Sequence, residues 1–266
     1  MTDVTILADN EVVEPAPKGL RGEWGFAAAV GNVLFDTGQT GLVPENAARL
    51  GVGFDFEAVV LSHGHYDHTG GLEAALSRLD DPTLYCHPDV WTDRYLEDDG
   101  EQRHIGVPYR REAITDRATV VEHTDPVEVA DGVHALGEIP RPHEDAAVGQ
   151  VETSGGLEPD PVPDDQALAV ETGDGLGLVL GCGHAGLRNT VEYAESMLDD
   201  EVRYVLGGTH LVAFEEAAIE ELADWLADRI DLFAGTHCTG ATARQVFAER
   251  APDAVEPVGV GTTVTF

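Results

Sequence analysis

The chain has 266 residues, with 50 acidic against 15 basic side chains and a formal net charge of -35 at pH 7. That balance argues against nucleic acid or an anionic membrane surface as partner. A hydrophobic content of 42% argues against wholesale disorder.

The segment VTILADN (4–10) alternates and predicts a strand. WGFAAAV and VLFDTG flank Gly31-Asn32 and read as a hairpin. LVPENAARLG (42–51) carries Pro44 near its start and Gly51 at its end, the punctuation of a short helix. FEAVVLS (56–62) is a buried strand, and LEAALSRL (72–79) a helix. TLYCHPD (83–89) is another short strand, followed by polar, irregular sequence over 92–118. Strand patterning returns over 118–124 and 127–139. Residues 140–165, rich in Pro, Gly and acid, predict one long functional loop. A second hairpin spans 166–182. Helices at 187–198, 214–228 and 240–250 then alternate with strands at 203–210, 231–238 and 258–266. Hairpins open each half and helices follow, which predicts an α/β, four-layer αββα sandwich. No linker divides the chain, so one domain over 1–266 is expected. Three scattered cysteines, Cys86, Cys182 and Cys238, make no disulfide scaffold. With no signal-peptide pattern and no run near the ~18 apolar residues of a membrane span, a cytoplasmic protein is expected.

Between the strand 56–62 and the helix 72–79 lies SHGHYDHTGG, which puts His63, His65, Asp67 and His68 within six positions. In an extended loop His63, His65 and Asp67 alternate onto a common side, and His68 points elsewhere. The cluster thus offers two divergent sets, His63 with His65 and Asp67 with His68. Two metals about 3.5–4 Å apart fit such a segment better than one. Imidazole and carboxylate suit Zn, Mn, Fe, Ni or Co rather than Ca or Mg. His184 in LGCGHAG and His237 in AGTHCTG each follow a predicted strand and a glycine, and both read as ligands. His210 in LGGTHL stays open between orienting a ligand, touching substrate and a structural role. Asp36 in LFDTG either orients a ligand histidine or forms a turn. Cys182 and Cys238 are candidate thiolate ligands, although a cysteine beside a buried strand is more often a small packed hydrophobe.

SHGHYDHTGG resembles the H-x-H-x-D-H signature of the metallo-β-lactamase superfamily. Together with VLFDTG, ALGEIPR, DDQAL, LGCGHAG, LGGTHL and GTHCTG, it is similar to the branch that includes the dihydropterin–ribofuranosylaminobenzene phosphate synthase of methanopterin assembly. The resemblance covers nearly the whole chain. It implies an αββα sandwich with a dinuclear site at the edge between the sheets. His63 and His65 would hold the first metal. Asp67 and His68 would hold the second, completed by His237. The superfamily's histidine after a PGH-like turn has no clear counterpart, with Glu138 and His143 as weak substitutes. Cys182 stands where the bridging aspartate is expected, and His184 supplies the missing ligand.

Such a pair, zinc first among the candidates, acidifies water and polarises a carbonyl or phosphoryl oxygen. Asp67 would bind metal and position that water, and His210 would assist the leaving group. Hydrolysis of an ester, thioester, lactone or phosphodiester is the leading expectation. The alternatives are transfer of a pterin methyl group with loss of pyrophosphate, and a non-catalytic metal-bound binding module. The 140–165 segment is expected to cover the cleft, and it holds no aromatic residue, which counts against stacking a pterin there. The expected partner is a small-molecule substrate, with a homodimer left open.

Lys18 is the only lysine, and an Asp- and Glu-rich chain of this kind fits a salt-in halophile of archaeal type. At molar salt the Debye length falls to about 3 Å and self-repulsion is screened. A melting series from dilute to molar KCl should therefore show a rising Tm, and a flat series would remove the halophile reading.

Overall fold

The computed structural model of the chain describes residues 1–153 and 155–266. The chain opens with an antiparallel meander, β1 (Asp3–Ala8), β2 (Ala27–Val30) and β3 (Val33–Phe35). Helix α1 (Val43–Leu50) then leads into β4 (Ala58–Val60). A helical turn α2 (Tyr66–Thr69) and helix α3 (Leu72–Leu76) lead on to β5 (Thr83–Cys86). A hairpin of β6 (Arg94–Asp98) and β7 (Glu101–His104) and helix α4 (Arg111–Thr115) precede β8 (Thr119–Glu122). The first sheet is completed by the C-terminal β17 (Thr263–Thr265) and has the order β17-β1-β2-β3-β4-β5-β8.

The second half begins with β9 (Val127–Ala130) and β10 (Val133–Ala135). A second excursion carries β11 (Gln150–Thr153) and β12 (Gly156–Pro159). Then come β13 (Ala167–Glu171), β14 (Leu176–Leu180), α5 (Leu187–Leu198), β15 (Val202–Gly207), α6 (Glu216–Ala227), β16 (Leu232–Gly235) and α7 (Ala241–Arg250). The second sheet has the order β16-β15-β14-β13-β10-β9, with β14, β15 and β16 mutually parallel.

Side-chain alternation stacks these elements into layers. In β13, Leu168 and Val170 join a core that also holds Val4, Ile6, Phe35 and Val60 of the first sheet, whereas Ala167 and Ala169 face the opposite way. That opposite face packs on Val191 of α5, Ala223 of α6 and Phe247 of α7. On the far side of the first sheet, Leu34, Val59 and Leu84 pack on Ala47 of α1 and Ala75 of α3. The period-two strands thus serve two cores each, which gives the expected αββα sandwich. Among the described residues, no helix is long and apolar enough to cross a membrane.

Two expectations need correction. Residues 92–118 and 140–165 are not irregular throughout. They supply two hairpins that pair into a third sheet, β12-β11-β6-β7. Both β7 and β12 are exposed along their length, so neither carries an apolar alternation to betray it.

Arg94 anchors this third sheet to the sandwich. Although 1% exposed, it donates from Nε to Asp160 Oδ2 (2.6 Å) and from Nη2 to Asp164 Oδ1 (2.5 Å). Asp164 Oδ2 in turn accepts the backbone N–H of Gly64 (2.8 Å). Removing one partner of a buried ion pair leaves uncompensated charge, at a cost of about 3–5 kcal/mol. Arg94→Ala should therefore lower unfolding stability by about that amount in a denaturant titration.

Candidate metal centre

Strands β3, β4, β14, β15 and β16 end at one edge of the sandwich, and each delivers part of a single cluster just past its C-terminus. Asp36 follows β3, and Ser62, His63 and His65 follow β4. Cys182 and His184 follow β14, His210 follows β15, and His237 with Cys238 follows β16. Polar groups beyond the carboxyl ends of parallel strands are the usual site position in layered α/β folds. His63, His68 and His184 are 0% exposed, and His65, Asp67 and His237 at most 7%.

Hydrogen-bond partners fix the tautomers, because a carboxylate or carbonyl oxygen only accepts. His68 Nδ1–H donates to Asp36 Oδ2 (2.7 Å), and His184 Nδ1–H donates to the Ala146 carbonyl (2.8 Å). His237 Nδ1–H donates to Asn10 Oδ1 (3.0 Å), while Asn10 Nδ2 donates back to the His237 carbonyl (3.0 Å). Ser62 Oγ donates to Asp36 Oδ2 (2.7 Å) and so accepts from His63 Nδ1–H (2.9 Å). The rings of His63, His184 and His237 thereby keep their Nε2 lone pairs for the interior, and His68 Nε2 faces the same way, 3.2 Å from Cys182 Sγ. The Nε2 atoms of His65, His184 and His237 are buried with no partner.

The lone pairs fall into two sets. In the first, the rings of His63, His65 and His184 have centroids 4.5–5.0 Å apart. His65 Nδ1 lies 2.9 Å from His63 Nε2. In the second, Asp67 Oδ2 lies 3.6 Å from His237 Nε2 and 4.0 Å from His68 Nε2. Cys182 belongs to both: its Sγ groups within 4.8 Å with His63 and His184, and equally with His68 and His237. Buried polar atoms without partners are costly, so their convergence here fits a donor set for cations. Imidazole, carboxylate and thiol together suit a transition metal such as zinc.

Burial, aided by neighbouring rings, holds His63 and His184 well below their ordinary pKa, and burial with nearby Arg94 does the same for His65. These rings are neutral at pH 7, the form a metal needs. Burial also pulls on His68, but the charges of Asp36 and Asp67 outweigh it and raise the ring to about 9. Burial lifts the Cys182 thiol well above its ordinary value.

The seven residues read from sequence as metal ligands or catalytic groups, His63, His65, Asp67, His68, His184, His210 and His237, lie in or against this one cluster. Their backbone differs from expectation at one point. Tyr66–Thr69 closes a helical turn, so Asp67 reaches its set from a helix and not by strand alternation with His63 and His65. His210 stands at the rim, with its ring 4.4 Å from that of His184 and its Nδ1 buried and unpartnered. Its left-handed backbone (φ 49°) lets its N–H donate to Cys238 Sγ (3.3 Å).

Glu138 and His143 are not part of the cluster: Glu138 sits 3.7 Å from His87, and His143 pairs with Glu192 at 2.8 Å. Cys182 is more than a packed hydrophobe, since its Sγ lies 3.2 Å from His68 Nε2. Sequence reasoning missed Ser62 and Asn10. Ser62 is signalled only by its place before His63, and Asn10 is separated from His237 by 227 positions.

Beside the cluster runs a groove lined by Leu187, Leu211, Phe214, Leu222 and Trp225, with Arg188 on its wall. Leu211 follows His210 directly, and Leu187 comes three residues after His184.

The family model of the metallo-beta-lactamase superfamily matches residues 30–195. An uncharacterized protein of Methanocaldococcus jannaschii is 30% identical over 247 residues, covering 89% of this chain and 90% of its own. The 7,8-dihydropterin-6-methyl-4-(beta-D-ribofuranosyl)-aminobenzene-5'-phosphate synthase of the same organism is 25% identical over 230 residues, covering 79% and 75%. Among solved structures, Tm1679, described as a metal-dependent hydrolase of the beta-lactamase superfamily, matches with a TM-score of 0.87 at 25% identity, over 100% of this chain and 99% of that one. Zn(2+)-bound PqqB from Methylobacterium extorquens shares the fold, with a TM-score of 0.56 at 14% identity over 99% and 100% of the two chains.

Outer hydrogen bonds of this kind typically govern metal affinity by about 10–100-fold. Asp36→Asn keeps the volume but turns an amide toward His68 and Ser62. It should weaken zinc binding by about that factor in a competition titration, with an unchanged circular dichroism spectrum.

Proposed function

The chain belongs to the metallo-beta-lactamase superfamily, and from its buried donor cluster we propose a hydrolase that uses two divalent transition metals against an ester, thioester, lactone or phosphodiester. One observation carries the proposal: two adjacent sets of buried donor atoms face inward, with the outer nitrogens of His63, His68, His184 and His237 already tied to protein groups. His63, His65 and His184 would hold one ion, and Asp67, His68 and His237 the other. When bound, the pair supplies an acidified water and a Lewis acid for the substrate's oxygen.

The chain's own residues supply orientation and exclusion. Asp36 and Ser62 hold the rings of His63 and His68, and Ala146 and Asn10 hold those of His184 and His237. Asp67 orients the attacking water. His210, at the rim with an unpartnered Nδ1, is placed to donate a proton to a leaving group. The 140–165 segment is pinned to the site at the Ala146 backbone and at Asp164, which supports a role in closing the cleft. The neighbouring groove, where apolar side chains share the lining with His143, Glu144, Arg188 and Glu221, supports a substrate with an aliphatic or aryl portion.

The synthase relative supports a second reading, a pterin-type transferase. The lack of aromatic residues in 140–165 no longer opposes it, because Phe214 and Trp225 line the groove instead.

A panel of phosphodiesters, thioesters, lactones and pterin pyrophosphates, each with Zn, Mn and Fe, separates the two. Turnover of at least one hydrolytic class is expected, and turnover of pterin pyrophosphates alone would favour the transferase. His65→Ala should cut metal content and abolish hydrolysis, and full metal retention there contradicts the ligand set. His210→Ala should keep both ions and lower kcat by about 10²–10⁴-fold.

A further inference from the structure

We infer that Cys182 is a bridging ligand, its thiolate sulfur shared by the two cations. The inference rests on the two-cation reading above; the resemblance puts Cys182 where a bridging aspartate is expected, whereas residue type alone favours packing.

Among the described residues, Cys182 Sγ is the one donor atom common to the group with His63 and His184 and the group with His68 and His237. It is fixed there from three sides. Gly181 precedes it, and a Cβ at that glycine would lie 2.1 Å from Ser62 Oγ and 2.7 Å from Asp36 Oδ2. A Cβ on Gly208 would lie 3.3 Å from the Cys182 Cα and 2.2 Å from the Gly181 carbonyl. Gly183 then turns the chain away with φ +67°. Only glycine fits the approaches at 181 and 208, so the backbone that carries Cys182 is held against both sheets.

Charge gives the sulfur its role. Two dications a few ångström apart repel each other, and neutral imidazoles do little to screen them. Asp67 serves only the second set. Asp36 spends its oxygens on Ser62 and His68, and the buried Asp165, which accepts the Ala185 N–H, falls in neither group of converging donors. Cys182 is the protein donor placed to put an anion between the ions. A thiol bound to a cation is deprotonated outright and so supplies negative charge. The second thiol lies to one side: Cys238 Sγ groups with Cys182 and His210 but with none of the histidines of the two sets, accepts the His210 N–H at 3.3 Å and donates to the Cys182 carbonyl at 3.5 Å.

X-ray absorption at the zinc edge of the wild-type protein loaded with two zinc ions tests this without mutation. One sulfur per zinc at about 2.3 Å is expected. An average of half a sulfur per zinc, or none, overturns the bridge while leaving the two-ion reading intact. Fewer than two ions bound overturns both. In the cobalt(II)-substituted protein, a thiolate-to-metal charge-transfer band should be present in wild type and in Cys238→Ser, and absent in Cys182→Ser. Cys182→Asp should lose the band but keep two ions. A band that survives Cys182→Ser, or disappears in folded Cys238→Ser, overturns the assignment.

Discussion

One buried carboxylate organises both halves of the site. Asp36 accepts the Ser62 N–H at Oδ1, and the Ser62 hydroxyl and His68 Nδ1–H at Oδ2, all at 2.7 Å. Through Ser62 it sets the tautomer of His63 in the first donor set, and directly it sets His68 in the second. An ionised group with 0% exposure is tolerable only when its oxygens are satisfied, and three donors satisfy these. Its backbone sits in the left-handed region (φ 57°), a conformation aspartate adopts more readily than most residues. The strain is local, and the strand ends that Asp36 joins are the ones that deliver the cluster.

The two sheets meet at the same point. Gly181, at the end of β14, lies against Ser62 and Asp36 of the first sheet. Any side chain there would push the Cys182–His184 segment away from the His63–His68 segment. The donor set thus depends on sheet-to-sheet distance, which the apolar contacts between β4 and β13 hold. This couples the hydrophobic core to the chemistry: loss of packing between the sheets would separate the two ligand segments before it exposed them.

The sequence revealed most where chemistry is local. His63, His65, Asp67 and His68 lie within six positions, and the helices at 187–198 and 240–250 lie within a residue of where their periodicity and glycines put them. His184 and His237 were legible through the strand-then-glycine context, which is itself a consequence of close approach at strand ends. Asn10 was not legible, because its bond to His237 is made only by closure of the first sheet against the last strands. The third sheet was hidden because strands with no buried face carry no alternation, and Gly155, Gly156 and Pro159 read as loop. Cys182 was underweighted for a different reason. A small apolar-looking residue after a buried strand gives no hint that two sets of lone pairs converge on it.

The charge of the whole molecule bears on which substrates reach this centre. A chain with net charge -35 repels anions over long range in dilute solution, and in molar salt that field collapses to contact distance. In either regime a polyanionic substrate gains nothing from the surface and must rely on the site itself. The groove offers little help: Arg188 already pairs with Glu192, and its guanidinium lies over Trp225 at 5.0 Å, with Arg229 at 4.6 Å from the same ring. An aromatic ligand stacking on Trp225 would have to displace a cation from the ring face, at a cost of about 0.5–2 kcal/mol. Leu211, Phe214 and Leu222 offer contact to an apolar group without that cost.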